Sequence, residues 1–463
     1  MKKIILIILF SLSGIFCMAG NVNVRIYGKI LNPASKRIVL NYGKKSDTAI
    51  ITNNEFVFAI DLPYAVHCEI VDDNIIFPVY LTPGDSLFFS VDRRNPLGSW
   101  QYSGRGSLYN TAIVDLIKKN NSIISNLQWI FKLESHLFLR KLDSVSLGLQ
   151  KYFIRYCTEK KIHNKEFIFL EIQRIKYSVA SQKFYYASYF PRLTGKEFND
   201  SGFYRFVDTL PQVVSSMLVI PECKQFANMM LDHLVNYHKD RLMSLEGLSM
   251  DQIRLRIIAD FFFDEGVRNY LFFQTMKNVV YTTPLPQIES MYIHFNNECS
   301  DTLYKQEINK IIERKSRLVP GRPAPDFECY DSTGKIVRLS DFRGKMVYLD
   351  FWATWCAPCR NEMPHLDKIR DKYRDSGLVV VSISLDETHQ KWISTYRKTG
   401  LKGIQLYSGD GFYARVARDY FIYSIPLFVL IDRDGMIIRM PAPRPSSSVL
   451  TEIISTNLKI SGF

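Results

Sequence analysis

Residues 346–364 read M-V-Y-L-D-F-W-A-T-W-C-A-P-C-R-N-E-M-P, and the fold of the C-terminal part of the chain depends on this stretch. The apolar residues 346–352 predict a buried β-strand, and a helix is predicted from Ala357 onward. Cys356 and Cys359 therefore lie at the turn from strand to helix. Unpaired backbone N–H groups and the positive end of the helix dipole favour a thiolate there, so Cys356 is the candidate nucleophile.

The spacing of the two cysteines allows one helical turn to bring their sulfurs together. Pro358 fits in this first turn because its missing N–H would have no partner there. Cys359 lies further into the helix, is expected to be the more buried thiol, and is the candidate resolving cysteine. The alternative for this spacing is half of a zinc site, but no second Cys or His pair follows at short spacing. We therefore predict a redox-active disulfide, with no metal and no other cofactor.

The motif W-C-x-P-C at a strand-to-helix junction resembles the thioredoxin superfamily. This resemblance implies a buried acid six residues before the nucleophile, where Asp350 stands, and a proline that bends the active helix, where Pro364 stands. It also implies a cis-proline opposite the disulfide, a position that Ile425 and Pro426 fit ahead of a predicted strand. The backbone of Ile425 would then bind an extended substrate. Trp355 is expected at the rim of the site, with a packing role as the alternative.

An extended segment leads into this motif. Residues 319–327 contain three prolines and a glycine, which cannot continue a helix or join a central strand. The ordered series G-R-P-A-P-D-F, D-S-T-G-K and L-S-D-F-R-G-K, followed by the redox stretch, resembles the TlpA/ResA-like thiol-disulfide oxidoreductases, and peroxiredoxins share this AhpC/TSA-Redoxin-like beginning. Strands alternating with helices over residues 319–463 predict a thioredoxin-like α/β domain with a central mixed sheet covered on both faces.

Two acidic side chains are candidates for accepting the proton of Cys359. Asp350 would lie beneath the cysteines on the preceding strand, and Glu362 would project from the same helix one turn after Cys359. C-x-x-C-x-x-E is a trait of the TlpA/ResA-like group, and the resemblance implies a role for Glu362 in thiol ionisation and catalysis. Many of those proteins lack an acid where Asp350 stands, so the proton route is open between the two. The plainer interpretations are a locally paired buried carboxylate for Asp350 and a solvated helix residue for Glu362.

The chain has 463 residues, which suggests about three domains. Residues 20–102 contain seven short strand-like runs separated by turn residues, which predict a small antiparallel β sandwich or barrel. Their motifs Y-G-K-I and L-T-P-G-D-S-L resemble a β-rich domain of unknown function that precedes thioredoxin-like modules in envelope proteins. Residues 103–318 carry apolar positions at helical spacing, broken at prolines such as Pro191, and predict an α-helical domain.

Residues 1–19 have the composition of a secretory signal peptide. Two lysines precede an apolar run from Ile4 to Phe16, and small residues around Cys17 and Ala19 offer a cleavage point. An uncleaved membrane anchor and a lipid-modified Cys17 are the alternatives. We therefore expect a periplasmic or cell-envelope protein, with membrane anchoring as an open alternative.

The remaining cysteines do not have the spacing of a disulfide framework, and the charge of the chain does not have the pattern of a nucleic-acid-binding protein. Five of the eight cysteines lie outside the leader and the redox motif, and their wide spacing predicts buried thiols, with an extra disulfide as the alternative. The net charge of +13 is spread without basic runs that interleave with aromatic residues, so nucleic acid is not an expected partner. Acidic partners or anionic lipid surfaces stay open. The five cysteines are Cys68, Cys157, Cys223, Cys299 and Cys329.

These observations predict an enzyme that reduces protein disulfides by dithiol exchange through Cys356 and Cys359. The expected partners are disulfide-containing envelope proteins and an upstream membrane electron donor, and the resemblance implies a link to cytochrome c biogenesis. A dithiol oxidase or isomerase of the same fold is an alternative, because Ala357-Pro358 does not settle the direction. A peroxiredoxin would need a P-x-x-x-T-x-x-C setting, which is absent around Cys356. A further alternative is an envelope ligand-binding protein with an accessory redox domain.

Overall fold

The computed structural model describes residues 23–43, 45–73, 75–200, 202–210 and 212–460. These residues form two compact units, which divide within the helical region near residue 226; residues 213–215 belong to the second unit. The leader predicted over residues 1–19, including Cys17, lies outside the described residues. None of the described helices combines the length and the apolar character that a membrane crossing requires.

The first unit begins with strands that form two four-stranded sheets. The strands are β1 (Val24–Leu31), β2 (Arg37–Tyr42), β3 (Lys45–Ile50), β4 (Glu55–Ile60), β5 (Val66–Asp72), β6 (Ile75–Leu81), β7 (Ser86–Asp92) and β8 (Gln101–Arg105). One sheet has the order β4-β1-β7-β8 and the other has the order β3-β2-β5-β6. Alternate residues face inward, and residues such as Ile26 of one sheet and Leu40 of the other share one hydrophobic core.

The pairing of these strands departs from the predicted antiparallel sandwich or barrel. β1 and β7 are parallel, with Ile26 opposite Leu87, and the described strands form no closed barrel. Strands joined by a hairpin must be antiparallel, but the chain passes through the second sheet between β1 and β7, so this constraint does not apply to them. The β-sheet nature of the N-terminal region is confirmed, and the purely antiparallel arrangement is wrong.

Strand β8 crosses residue 103, where the sequence predicts the helical domain to begin. Tyr102 is its one buried residue, so β8 lacks the apolar alternation that predicts a strand. Gly104 adopts φ +84° and lies so close to the carbonyl group of Ser86 that a Cβ atom would clash with it. Backbone pairing with β7, rather than side-chain burial, therefore defines this strand.

A helical region follows the two sheets, which confirms the prediction for the middle of the chain. Pro191 does not break its helix as expected: the helix continues for one more turn to Thr194 and ends before Gly195, which adopts a left-handed conformation. The short helix α1 (Pro96–Ser99) lies between β7 and β8. The helices of the helical region are α2 (Ser107–Ser125), α3 (Ser135–Glu159), α4 (Lys165–Thr194), α5 (Pro221–Glu246), α6 (Met250–Phe261), α7 (Glu265–Thr282), α8 (Glu289–Glu298) and α9 (Thr302–Ser316).

The C-terminal region contains a seven-stranded mixed sheet with the thioredoxin-like architecture that the motifs predict. Its strands are β9 (Glu328–Tyr330), β10 (Ile336–Arg338), β11 (Met346–Trp352), β12 (Leu378–Ser384), β13 (Ile404–Tyr407), β14 (Leu427–Ile431) and β15 (Ile437–Arg439). Its helices are α10 (Ala357–Lys372), α11 (His389–Thr399), α12 (Arg415–Asp419) and α13 (Ser448–Ile460). The strand order is β10-β9-β13-β12-β11-β14-β15, so the fully buried β11 lies between the parallel β12 and the antiparallel β14.

Asn110 of α2 covers the outer edge of the sheet that ends with β6. Its Oδ1 accepts the N–H of Tyr80 at 2.7 Å, and its Nδ2 donates to the carbonyl groups of Tyr80 and Gly106 at 2.8 Å each. Asn110 is fully buried, so water cannot replace these bonds. The side chain therefore satisfies backbone groups that an edge strand would otherwise leave unpaired.

We expect the Asn110→Ala substitution to lower the free energy of unfolding by about 3 kcal/mol, because it leaves buried donors and acceptors without partners. Urea unfolding of the full-length chain measures this loss. Asn121→Ala, on an exposed position of the same helix, should change the free energy of unfolding by less than about 0.5 kcal/mol. Equal values for the two variants would contradict this role of Asn110.

Candidate active site

Cys356 is the N-cap residue of α10, directly after the turn that follows β11. Its Sγ accepts a hydrogen bond from the backbone N–H of Cys359 at 3.2 Å. The structure joins the two sulfurs in a disulfide, with the Cα atoms 5.3 Å apart. Both cysteines are only 3% exposed, so Cys359 is not the more buried of the two as the sequence predicts. The difference arises because tertiary neighbours cover both sulfurs.

The neighbours of the disulfide come from several elements of the sheet. Trp352 at the end of β11, Trp392 of α11 and Tyr407 of β13 form one buried cluster with the two cysteines. The rings of Trp392 and Tyr407 are stacked, with centroids 5.6 Å apart. Nothing in the local sequence around the cysteines identifies Trp392 and Tyr407, because these two residues approach only when β11, β12 and β13 pair.

A fully buried carboxylate holds the turn that precedes the cysteines. Asp386 accepts the backbone N–H of Thr354 at 3.1 Å and the Thr354 hydroxyl at 2.6 Å. The hydroxyl of Ser384 donates to the same carboxylate at 2.7 Å. The sequence analysis assigns Asp386 no role, although it follows β12 as Cys356 follows β11. The carboxyl ends of adjacent parallel strands meet at one edge of a sheet, and this signal could have identified Asp386.

Asp350 lies in the middle of β11 and is 5% exposed. Side chains alternate along a strand, so Asp350 shares a face with Tyr348 and with Trp352, which packs in the disulfide cluster. Burial raises the pKa of Asp350 to about 7; the Ser382 hydroxyl and the Arg370 guanidinium act against this shift, and the Glu362 carboxylate adds to it. A buried carboxyl group therefore titrates near neutral pH in this region.

Glu362 is 8% exposed, so it is not the solvated helix residue of the plainer interpretation. Its carboxylate accepts the backbone N–H of Ser446 at 2.9 Å and the Ser446 hydroxyl at 3.0 Å. Arg444 approaches the same carboxylate at 3.8 Å. Ser446 belongs to the irregular segment before α13, where no periodic pattern marks a contact with α10, so sequence analysis missed it.

The three residues expected to bind substrate lie in different surroundings. Ile425 packs against the cluster that contains the disulfide, and the Ile425–Pro426 peptide bond is cis. Pro426 is half-buried and directly precedes β14. Trp355 is 57% exposed, and its ring lies 6.3 Å from that of Phe412. The structure therefore brings Ile425 to the cluster that contains the disulfide. It leaves Trp355, the residue directly before Cys356, exposed on the surface.

The other cysteines lie in apolar surroundings, and the structure joins none of the five in a disulfide. Burial raises the pKa of Cys157 to about 11 and that of Cys329 to about 12, so these thiols stay protonated and unreactive at neutral pH. In the described part of the chain, no three His, Cys, Asp or Glu residues are grouped closely enough to hold a metal ion.

Known proteins resemble the region that carries the disulfide. The sequence model of the AhpC/TSA family matches residues 320–440. The thiol-disulfide oxidoreductase ResA of Bacillus cereus is 34% identical over 138 residues, which cover 30% of this chain and 76% of that protein. ResA of Geobacillus kaustophilus is 33% identical over 124 residues, which cover 27% of this chain and 69% of that protein. A crystal structure of the thioredoxin domain of a Bacteroides vulgatus thiol-disulfide oxidoreductase is 28% identical, covers 30% of this chain and 97% of that chain, and has a TM-score of 0.28. The sequence relatives confirm the resemblance that the motifs predict.

The raised pKa of Asp350 makes stability depend on pH. In an unfolded chain an aspartate ionises near pH 4, about 3 pH units below the value of about 7 in the folded protein. Between about pH 4 and about pH 7 the Asp350 carboxyl group keeps its proton in the folded state and releases it in the unfolded state. The wild type therefore loses stability as the pH rises from about 4 to about 7. We expect Asp350→Asn, which cannot ionise, to gain roughly 3 kcal/mol of unfolding free energy relative to the wild type across this window.

Urea unfolding of both proteins at several pH values between 4 and 8 measures this difference. Asp375→Asn, which changes an exposed carboxylate of the same domain, is the matched control and should follow the wild type. Parallel pH profiles for the wild type and Asp350→Asn would show that Asp350 ionises equally in the folded and unfolded states.

Proposed function

Because this chain belongs to the ResA family of thiol-disulfide oxidoreductases, we propose that Cys356 and Cys359 reduce the disulfides of other proteins. The placement of the cysteine pair carries this proposal. The Cys356 sulfur lies at the N-terminus of α10, where it accepts the N–H of Cys359 and bonds to the Cys359 sulfur within one turn. A helix N-terminus stabilises negative charge, which favours a thiolate on Cys356.

The proposed reaction needs only the two sulfurs and a substrate disulfide. In the dithiol form, the Cys356 thiolate attacks one sulfur of the substrate, the substrate S–S bond breaks, and the other substrate sulfur leaves as a thiolate. Cys359 then attacks the sulfur of Cys356, which releases the second substrate sulfur and leaves the Cys356–Cys359 disulfide. Two electrons pass to the substrate, and an external dithiol donor at the membrane restores the enzyme by the reverse exchange. The cycle requires no other cofactor.

Cys359 must lose its proton before it attacks, and we propose that the two buried acids accept it as a coupled pair. Asp350, with a pKa of about 7, can take up or release a proton at neutral pH. Glu362 follows Cys359 on α10, and its negative charge helps to raise the pKa of Asp350. The charge of Glu362 therefore influences how readily Asp350 takes up a proton.

The substrate would dock where the chain presents both an apolar surface and backbone groups. Ile425 already packs against the disulfide cluster, and Pro426 has no N–H, so the backbone of Ile425 is the proposed hydrogen-bonding partner of an extended substrate. The exposed ring of Trp355, next to the nucleophile in sequence, would contact the same substrate from the rim.

We further propose that the protein acts in the periplasm or cell envelope. The leader composition of residues 1–19 supports export, and protein disulfides occur in oxidising compartments of this kind. Its substrates would be disulfide-containing envelope proteins, including those of cytochrome c biogenesis. Its electron donor would lie in the membrane, and a retained leader would hold the protein there.

The cysteine assignment predicts different outcomes for two variants. Prereduced wild-type protein should reduce insulin disulfides, whereas Cys356→Ala should lower the rate by at least about a thousandfold, because the nucleophile is lost. Cys359→Ala should still attack but should stop at the mixed disulfide, which can be isolated after acid quenching and alkylation. Trapping by Cys356→Ala instead would reverse the two roles.

The direction of the reaction can be measured independently. A reductase should have a midpoint potential below about −220 mV, whereas a potential near −120 mV is typical of a dithiol oxidase. Equilibration of the wild type with glutathione redox buffers, followed by mass analysis of alkylated thiols, gives this value. A potential near −120 mV would support the oxidase alternative and contradict the reductase.

Replacement of Glu362 by Gln should slow the resolving step about tenfold, because the carboxylate that helps to accept the Cys359 proton is lost. The decay of the mixed disulfide in rapid-quench experiments reports this step directly. Asp371→Asn, at an exposed position of α10, is the control and should decay like the wild type. Unchanged decay in Glu362→Gln would remove Glu362 from the proton route.

A further inference from the structure

Helix α7 contacts the segment of the chain that leads into Ile425. Tyr281, in the last turn of α7, stacks on the ring of Phe421 with centroids 4.9 Å apart and an interplanar angle of 21°. The ring of Tyr423 lies 4.7 Å from that of Tyr281, and the Tyr423 hydroxyl donates a hydrogen bond to the carbonyl oxygen of Tyr281. Two side chains that closely precede Ile425 are thus held by one residue of α7.

The end of α7 that carries Tyr281 is itself anchored to α9. The ammonium group of Lys315 donates to the carbonyl oxygen of Thr283 at 2.7 Å and to that of Val280. These bonds satisfy carbonyl groups at the C-terminus of α7, where the helix leaves them without partners, and a cation is favourable there. Tyr281 is therefore presented on a fixed helix end and not on a free one.

The backbone of the contacted segment depends on such support. Phe421 adopts φ +51°, a left-handed conformation that a bulky side chain rarely takes. Residues in this region persist when their surroundings hold them. The Phe421 N–H bonds to the carbonyl oxygen of Arg418 at 3.2 Å, and the Phe421 ring is covered by Tyr281. Phe421 also packs against the core of the redox domain, and loss of the Tyr281 ring would remove the stacked aromatic part of this support.

We propose that Tyr281 is a positioning residue of the oxidoreductase site, which holds residues 421–425 so that Ile425 can bind a polypeptide substrate beside the disulfide. Tyr281 acts through Phe421 and Tyr423 and does not touch the reacting sulfurs. The inference rests on the proposed function, in which the backbone of Ile425 binds substrate. It assigns to the helical region a part in substrate binding by the redox domain.

The test compares a polypeptide disulfide with a small one, using prereduced full-length protein. In the proposed function, insulin binds along the backbone of Ile425 before it reacts. The small disulfide 5,5′-dithiobis(2-nitrobenzoic acid) needs only access to Cys356. Tyr281→Ala should raise the half-saturating concentration of insulin about fivefold, while the limiting rate and the rate with the small disulfide change by less than about twofold. Tyr423→Phe, which removes only the hydrogen bond, should raise the half-saturating concentration about twofold.

Two variants control for a general loss of packing. Tyr281→Phe keeps the ring and the backbone carbonyl group, so it should behave like the wild type. Phe273→Ala removes a stacked pair of similar size on the same helix, in which the rings of Phe273 and Tyr304 lie 4.4 Å apart, but leaves the segment before Ile425 untouched. It should also match the wild type in its half-saturating insulin concentration.

Equal effects of Tyr281→Ala and Phe273→Ala, or a parallel loss of reaction with both disulfides, would overturn the inference while leaving the proposed function intact. A wild type that reacts with the small disulfide but not with insulin would overturn the proposed polypeptide reductase, and the inference with it. A selective rise in the half-saturating insulin concentration for Tyr281→Ala, restored by Tyr281→Phe, supports the inference.

Discussion

The turn between β11 and α10 places a sulfur where two physical effects act in opposite directions. Burial disfavours a thiolate, as Cys329 shows in the same sheet, where desolvation raises the thiol pKa to about 12. A helix N-terminus favours a thiolate because its N–H groups and dipole stabilise negative charge. Cys356 combines both surroundings, and Asp386 keeps the turn in the position that brings them together. The proposed chemistry depends on this junction.

The two acids near the junction show how surroundings separate residues of similar chemistry. Asp350 extends from a strand whose neighbours are mostly apolar, so burial dominates its pKa. Glu362 receives two hydrogen bonds from Ser446, which replace part of the water that burial removes. Enzymes often place two carboxyl groups close together in different surroundings. The two groups then take different roles in proton transfer.

The helical region is divided between the two compact units of the chain. The boundary between the compact units falls near residue 226, and helices α6 to α9 belong to the same unit as the thioredoxin-like domain. Aromatic stacking between Tyr281 and Phe421 is one of the contacts within that unit. Stacked rings restrict a loop with little loss of entropy, because an aromatic side chain has only two rotatable bonds to order.

The sequence alone determined the strand before the cysteines, the helix after them and the placement of Cys356 at the helix start, because these follow from local hydrophobic periodicity. The resemblance of the motif to the thioredoxin superfamily marked Asp350 and Pro426, and its resemblance to the TlpA/ResA-like group marked Glu362. Only the tertiary structure decided the parallel pairing of β1 with β7 and the contacts of Asp386, Ser446 and Tyr281. These depend on segments distant in the chain, and no local pattern encodes which distant segments meet when the sheet forms and the helices pack.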